Sequence, residues 1–265
     1  MNFKKNIIIT GGLGLLGKAL TIELANTGAH IIILDIKSKK EFNKVNSFKK
    51  IKNNLSYFKC DVSNINIVKK INIKLKNKFK KFDVLINAAA VTDAVEKSKS
   101  PKKSMFENYS IKDWNKSILG NLNSMFICSQ VFGKIMSQSK KGSIINISST
   151  YGIVGPDQSI YRDKKNKNIF FKSPSYPTSK GAVISFTKYL ASYWGKQGIR
   201  VNCVSPGGIK NNQNKEFIKK YSAKTILGRM AETKDIVGII RFLCSDDANY
   251  ITGSNIVVDG GWTAI

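Results

Sequence analysis

Tyr176 and Lys180 stand four residues apart in a helically patterned segment, which places a phenol and an ammonium on one helix face. A nearby ammonium favours the phenolate and draws its pKa down from about 10, each unit corresponding to about 1.4 kcal/mol. Such a phenol can exchange a proton near neutral pH. Ser149, just past an apolar run, offers a hydroxyl that can hydrogen-bond a substrate hydroxyl or carbonyl oxygen and stabilise the charge that grows there.

Near the other end of the chain, IIITGGLGLLG (7–17) runs an apolar β-branched segment into glycines at 11, 12, 14 and 17. Gly11 and Gly12 permit a sharp turn, and Gly14 lets the backbone approach a pyrophosphate. Gly17 lets the following helix, opened by Leu15 and Leu16, pack against the strand with its N–H groups toward the anion. Asp35 follows about 20 residues later, where a carboxylate accepts from adenosine ribose hydroxyls and repels a 2′-phosphate. That favours NAD; Lys37, Lys39 and Lys40 offer charge that keeps NADP open, and Asp35 has the plainer reading of a turn or helix cap. Taken singly, Tyr-x-x-x-Lys on an amphipathic helix, Ser-Ser after a strand and a mid-helix asparagine such as Asn121 also have purely structural readings.

The elements that must position these residues alternate along the chain. Apolar runs at Asn6 to Thr10, Ile31 to Asp35, Leu55 to Lys59, Asp83 to Asn87, Ser143 to Ser148, Arg200 to Val204 and Asn255 to Val258 predict seven strands. Their continuous apolar character suits strands covered on both faces. Helices are expected at Leu15 to Thr27, Ile65 to Phe79, Ile111 to Ser137, Tyr176 to Gly195 and Lys234 to Ser245. The fold class is therefore α/β, a doubly wound Rossmann fold with a seven-stranded parallel sheet and helices on both faces, as one domain over 1–265. Two polar segments, Glu96 to Asn108 and Pro156 to Pro174, are long enough to suspect function.

At 265 residues and 42% hydrophobic content the chain suits a single large core. It has no apolar run of the roughly 20 residues that span a bilayer, and Met1 to Thr10 reaches the glycines before a signal-peptide core forms; a cytoplasmic protein without a membrane partner is expected. Cys60, Cys128, Cys203 and Cys244 lack metal-ligand spacing and read as buried thiols. His30 is the single histidine, so neither a Ser-His-Asp triad nor a histidine-based metal site is expected. The net charge of +27 raises nucleic acid as a partner. Nearly all of it is lysine spread along the chain, the arginines being Arg162, Arg200, Arg229 and Arg241, and no recognition motif accompanies it; nucleic-acid binding as a main function is not expected.

Over essentially its whole length the sequence resembles the short-chain dehydrogenase/reductase family, in its single-domain branch. TGGLGLLG (10–17) resembles the cofactor turn, Cys60-Asp61-Val62 the segment meeting adenine, and Asn87-Ala88-Ala89-Ala90 the family's NNAG stretch. Asn121, seven residues after Trp114, stands at the family's catalytic asparagine, and Ile145 to Ser149 brings its serine. Tyr176 to Lys180 is similar to its YxxxK pair. Arg200-Val201-Asn202 with Ser205-Pro206-Gly207 resembles the strand and loop over the nicotinamide, and Asp259-Gly260-Gly261 closes the pattern. The resemblance implies that Lys180 also holds the nicotinamide ribose, that Asn121 supports a water-mediated proton relay, and that Asp61, Val62, Asn87, Ala88, Ala89, Pro206, Gly207, Ile209 and Asn211 join Gly11, Gly14, Leu15, Leu16 and Asp35 around the cofactor. It also implies a homotetramer or homodimer pairing through the tyrosine-bearing helix and the C-terminal helix and strand.

Several features depart from that pattern. The turn is spaced TGxxGxxG, commoner in the extended branch of nucleotide-sugar epimerases and dehydratases. Ala88 and Ala90 replace an asparagine and a glycine of NNAG, and Asn211 stands where a threonine holds the carboxamide; an amide can donate and accept there. The Ser149 to Tyr176 spacing is about twice the family's usual one. The extra loop, about 156–174, carries Tyr161, Arg162, Lys164, Lys165, Lys167 and Lys172. It reads either as a recognition element for an anionic substrate, such as a sugar phosphate or nucleotide sugar, or as a surface or subunit-contact loop. Segment 208–225 reads as a lid. YGIVGPDQSIY, PGGIKNNQ and VVDGGWTA resemble a bacterial subgroup named for flagellin modification protein A, found among genes of cell-surface sugar synthesis, which implies sugar substrates. The expected activity is reversible alcohol/carbonyl oxidoreduction with NAD or NADP. The alternatives are a nucleotide-sugar epimerase or dehydratase with no net redox change and a non-catalytic dinucleotide sensor, against which the complete Asn121, Ser149, Tyr176 and Lys180 set argues.

Overall fold

The computed structural model describes residues 4–92 and 101–265. Strand β1 (Asn6–Thr10) leads into helix α1 (Leu15–Asn26), and β2 (His30–Asp35) into the short α2 (Lys39–Asn43). There follow β3 (Leu55–Lys59), α3 (Ile65–Lys78) and β4 (Val84–Asn87). Helices α4 (Ile111–Ile118) and α5 (Ser124–Gln138) precede β5 (Gly142–Ile147). The chain then forms α6 (Ser175–Trp194), β6 (Ile199–Pro206), α7 (Lys215–Ser222), α8 (Thr233–Cys244) and β7 (Asn255–Val258).

The sheet runs β3-β2-β1-β4-β5-β6-β7, seven strands, and every pairing is parallel. Alternation along each strand sends side chains to two cores. Ile7, Ile9, Ile31, Ile33, Val84 and Ile86 pack under α1 and α8, whereas Ile8, Ile32, Leu34, Leu85 and Ile144 pack under α3, α5 and α6. This two-sided burial is why the strands read as unbroken apolar runs. The order reverses between β1 and β4, the chain continuing from β1 toward β2 on one side and from β4 toward β5 on the other, and such a reversal opens a crevice at their carboxyl ends.

Buried amides brace that crevice. Asn87 Nδ2 donates to Asn146 Oδ1 at 2.9 Å and Ser129 Oγ at 3.2 Å, while Asn146 Nδ2 donates to Thr187 Oγ1 at 2.9 Å. Two strands and the helices α5 and α6 are thereby joined by groups that would be costly to leave unpaired.

The helix expected from Ile111 to Ser137 is interrupted. Leu119–Asn123 forms a π turn between α4 and α5, a wide turn that periodicity cannot reveal. The chain here comes so close to its neighbour that a Cβ on Gly120 would sit 2.4 Å from Val91 Cγ2. The turn points Asn121 inward, fully buried, with its Oδ1 accepting from Val91 N at 2.7 Å. The 208–225 segment, expected as a lid, holds helix α7, whose N-cap Asn214 accepts from Phe217 N at 2.8 Å. The expected loop Glu96 to Asn108 lies in part outside the described residues; its described part forms short turns at Pro101–Ser104 and Phe106–Asn108. All four cysteines are free and buried. Among the described residues no helix is long and apolar enough to cross a membrane, and no group of His, Cys, Asp or Glu is arranged to hold a metal ion.

Candidate active site

A cavity of about 900 Å³ follows the carboxyl ends of the strands, from Asp35, Lys37 and Asp61 at one end to Ser149, Tyr176 and Lys180 at the other. Its floor is the glycine turn. Thr10 Oγ1 accepts from the N–H groups of both Ala88 and Ala89 at 3.1 Å, fastening the β1 turn to the turn after β4. Gly11 has φ +68°, and a Cβ there would lie 2.8 Å from Ala89 Cα; on Gly17 it would lie 2.1 Å from Gly11 O. Neither contact leaves space for a side chain. Helix α1 begins with no side-chain cap at Gly14 and no acid in its first turn, and Leu15, Leu16 and Gly17 line the cavity. Its partial positive end is therefore presented to whatever anion enters.

At the far end Asp35 is buried. Its Oδ2 accepts from Leu13 N at 2.8 Å and its Oδ1 from Lys37 N at 3.0 Å, so the carboxylate shapes the glycine turn as well as facing the cavity. Lys37 Nζ lies 3.4 Å from Leu13 O and lines the same end. Asp61 Oδ1 accepts from Ser63 N and Oγ at 3.0 and 2.6 Å. Val62, Ala88, Ala89, Pro206, Gly207, Ile209 and Asn211 line the cavity. Asn87 does not: its Nδ2 is spent on the Asn146 and Ser129 brace, while its buried Oδ1 has no hydrogen-bond partner among the described residues. A mononucleotide cradle at one end and a second polar end opposite it fit a dinucleotide.

Lys180 is buried on α6, with Nζ donating to Ile147 O at 2.8 Å. Burial pushes its amine down to about 8 from 10.5, so at neutral pH the cation persists by a modest margin. Ser148 Oγ donates to Lys180 O at 2.7 Å, a second tie between the end of β5 and α6. A Cβ on Gly152 would lie 2.7 Å from Lys180 O, so this glycine sets how closely the post-β5 turn approaches the helix. Ser149 Oγ accepts from Tyr151 N at 3.2 Å, which leaves its own proton to be given. Ser149, Tyr176 and Lys180 share one cavity wall.

Asn121 is near this wall and not part of it. Its Nδ2 donates to Ser117 Oγ at 3.3 Å and Ser179 Oγ at 3.2 Å, in addition to the Val91 contact, so its amide bridges the π turn to α6. With that side chain committed, a relay through Asn121 would have to use its backbone.

The remaining wall is aromatic. Tyr151, Tyr161, Phe217, Tyr221 and Met230 line the cavity, and Trp262 stacks on Tyr221 at 4.4 Å from behind. Sequence reading did not single out Tyr151, Phe217, Tyr221 or Met230; the available signal was Phe217 and Tyr221 four apart on one helix face. Of the charged residues in the 156–174 loop only Lys172 reaches the cavity. Arg162 instead bonds Asn168 and Asn166 within the loop at 3.1 and 3.2 Å, and Lys164, Lys165 and Lys167 are exposed.

Comparison with known proteins is consistent with this geometry. A family profile described as enoyl-(acyl carrier protein) reductase matches residues 15–263. The chain is 33% identical over 263 residues to the 3-oxoacyl-(acyl-carrier-protein) reductase FabG of Buchnera aphidicola subsp. Baizongia pistaciae, covering 97% of each. Among solved structures, a short chain dehydrogenase from Leptospira borgpetersenii with bound NAD+ is 35% identical, with TM-score 0.86 over 99% of this chain and 94% of that one. ElxO with NADP bound is 29% identical, with TM-score 0.85 over 99% and 100%.

The burial of Lys180 has a thermodynamic signature. The unfolded chain holds this proton up to about pH 10.5 and the folded chain only up to about 8, so burying the cation opposes folding below pH 8 and stability rises as pH climbs from 8 to 10.5. Lys180→Met is expected to lose at least about 100-fold in turnover and yet match or exceed the parent in stability at pH 7 by about 1–3 kcal/mol. Urea unfolding at pH 7 and 10 checks this; the gap should narrow at the higher pH.

Proposed function

We propose, from the premise that this chain belongs to the short-chain dehydrogenase/reductase family, that its NAD(P)-dependent oxidoreduction interconverts an alcohol and a carbonyl on a small polar, anionic substrate. The observation that carries the reading is the meeting of Ser149, Tyr176 and Lys180 on one wall of a cavity whose other end is an uncapped helix N-terminus.

A nicotinamide, when bound, supplies or accepts the hydride; the chain's residues manage the proton and the charge. Gly11, Gly14 and the first turn of α1 would hold the pyrophosphate, and Asp35 and Asp61 would hold the adenosine end. In the reducing direction Tyr176 gives its phenolic proton to the substrate oxygen and Ser149 donates a hydrogen bond to the same oxygen, lowering the barrier as negative charge accumulates. Lys180, fixed by Ile147 O, stabilises the phenolate left behind and, as the family resemblance implies, would also hold the nicotinamide ribose. In the oxidising direction the phenolate takes the alcohol proton. The aromatic wall and the 208–225 segment, through Phe217 and Tyr221, cover the substrate and keep water from the reacting bond.

Lys172 at the cavity supports an anionic substrate, and the aromatic faces suit a sugar ring, the class that the likeness to the flagellin-modification subgroup also favours. The same apolar wall suits the oxoacyl end of a thioester, the chemistry for which the Buchnera relative is named. Purified protein should be incubated with NAD or NADP and a panel of sugar phosphates, nucleotide sugars and 3-oxoacyl thioesters, following nicotinamide absorbance and product mass. The reading expects an absorbance change with an anionic sugar. A mass or isomer change at constant absorbance would replace it with epimerisation or dehydration. Tyr176→Phe is expected to lower turnover by about 100-fold or more with cofactor binding intact; full turnover in that variant would remove the tyrosine from the mechanism.

Two further expectations belong to this reading. Asp35 makes NAD the preferred cofactor, so Asp35→Ser should raise affinity for NADP relative to NAD by about tenfold in nicotinamide fluorescence titrations, a change of about 1.4 kcal/mol. The family resemblance implies pairing through α6, and the exposed Tyr189 and Tyr193 on that helix, each 60% accessible, support it. Sedimentation equilibrium should give a dimer or tetramer, and Tyr189→Glu with Tyr193→Glu should shift it to monomer; a monomeric parent would remove this proposal.

A further inference from the structure

The 156–174 loop delivers a second ammonium to the Tyr176 ring. Lys172 Nζ lies 4.1 Å from the ring centroid, nearer than Lys180 Nζ at 5.8 Å. The backbone beneath it is fastened. Lys172 N donates to Gln158 Oε1 at 2.9 Å, its carbonyl accepts from Gln158 Nε2 at 3.4 Å, and Phe171 N donates to Ser104 Oγ at 3.0 Å. Phe170 is buried edge-on against Tyr161, with centroids 5.4 Å apart. Tyr161 in turn packs on Phe217 of α7, while Lys220 Nζ reaches Arg162 O at 2.6 Å and Lys224 pairs with Asp157 at 2.9 Å. These ties hold the loop against the cavity from both its ends, so the position of Lys172 is built rather than incidental.

The charged and titratable surroundings of the phenol come from several elements. Lys180 stands on its own helix, Lys172 on the loop, and Tyr221 on α7, lining the same cavity. Tyr151 and Tyr161 line the same cavity. Burial pushes Tyr221 up to about 12 and raises Tyr151 strongly as well, so neither competes for a proton near neutrality. Cys203, beside Lys180, is pushed up to about 11 by burial and stays a thiol. Among the described residues, carboxylates act on this group from Asp157, toward Tyr151, and from Asp259, toward Tyr221. Asp157 is paired with Lys224, and Asp259 accepts from Gly261 N, Thr263 N and Thr263 Oγ1.

We propose that Lys172 is a positioning residue for proton transfer: its ammonium, laid on the face of Tyr176, stabilises the phenolate jointly with Lys180. A cation over a neutral phenol gains only from the ring quadrupole, whereas over a phenolate it gains from a full opposite charge. The difference favours proton release. The two ammoniums also oppose each other, since Lys172 adds to the depression of the Lys180 amine, and a phenolate near both relieves that repulsion. The inference rests on Tyr176 being the group that exchanges the proton, and it gives the 156–174 loop a role in tuning that exchange besides any contact with substrate.

The test reads the phenol directly. The ultraviolet phenolate signal of Tyr176 is isolated as the difference between each protein and its Tyr176→Phe counterpart, titrated from pH 5 upward with no substrate present. Lys172→Met is expected to raise the Tyr176 midpoint by about one pH unit, while Lys172→Arg, which keeps the charge, stays close to the parent. The acid limb of kcat should move by the same amount in Lys172→Met, with the KM for NAD unchanged. Gln158→Leu, which keeps the charge and loosens its anchor, should shift the midpoint in the same direction by less. A Lys172→Met midpoint equal to the parent's would overturn the proposal. So would a Lys172→Met protein whose pH profile stays in place while KM rises for anionic substrates alone, which would make Lys172 a substrate contact. Full turnover in Tyr176→Phe would sink the reading of Tyr176 as the proton carrier, whereas the titration, made without turnover, would still report whether Lys172 acts on the phenol.

Discussion

A lysine ammonium held out of water by one carbonyl organises this site. Lys180 Nζ donates to Ile147 O, the last residue of β5, from the first turns of α6. Burying that charge costs folding free energy, which is why its amine sits well below the ordinary lysine value. A fold retains such a cost where the group is used. The contact locks the helix carrying Tyr176 to the strand end carrying Ser149, so phenol, hydroxyl and ammonium share one wall without any of them being on a long mobile arm.

The same arrangement depends on how the sheet is wound. Reversal of strand order between β1 and β4 brings the turns after β1, β4, β5 and β6 to one edge. Thr10 ties two of those turns, and Asn87 and Asn146 tie the strands beneath them to α5 and α6. Asn121 extends the bracing from the π turn to Ser179 on α6. In a low-dielectric interior each of these hydrogen bonds would be expensive to lose, so together they keep the crevice from relaxing shut.

The opposite wall is assembled differently. Tyr151, Tyr161, Phe217, Tyr221 and Trp262 come from four separate segments and meet as one aromatic cluster, joined by edge-on and stacked contacts. Apolar packing of this kind constrains position less sharply than hydrogen bonds, and it places the 156–174 loop and α7 over the cavity as a connected cover. Enzymes of one fold vary most in such covers, because the scaffold beneath carries the chemistry.

Much of this was legible in the residues alone. Continuous Ile-rich runs specify strands buried on both faces, glycines at 11, 14 and 17 set between a strand and a helix mark a close backbone approach, and Tyr176 with Lys180 must share a face because helical spacing is local. These features depend on chain neighbours, and neighbours are what a sequence records. Three matters were decided by tertiary structure. Asn87 turned out to brace strands instead of lining the cavity, since strand register with Asn146 chose its partner. The helix predicted across 111–137 opened into a π turn because Asn121 found Val91 N, thirty positions away in the chain. Of the lysines in the 156–174 loop, Lys172 alone lines the cavity, since the packing of Phe170 and the clasp of Gln158 aim it there. In each case the partner is distant in sequence, and residue spacing carries no information about contacts that only the closed fold brings together.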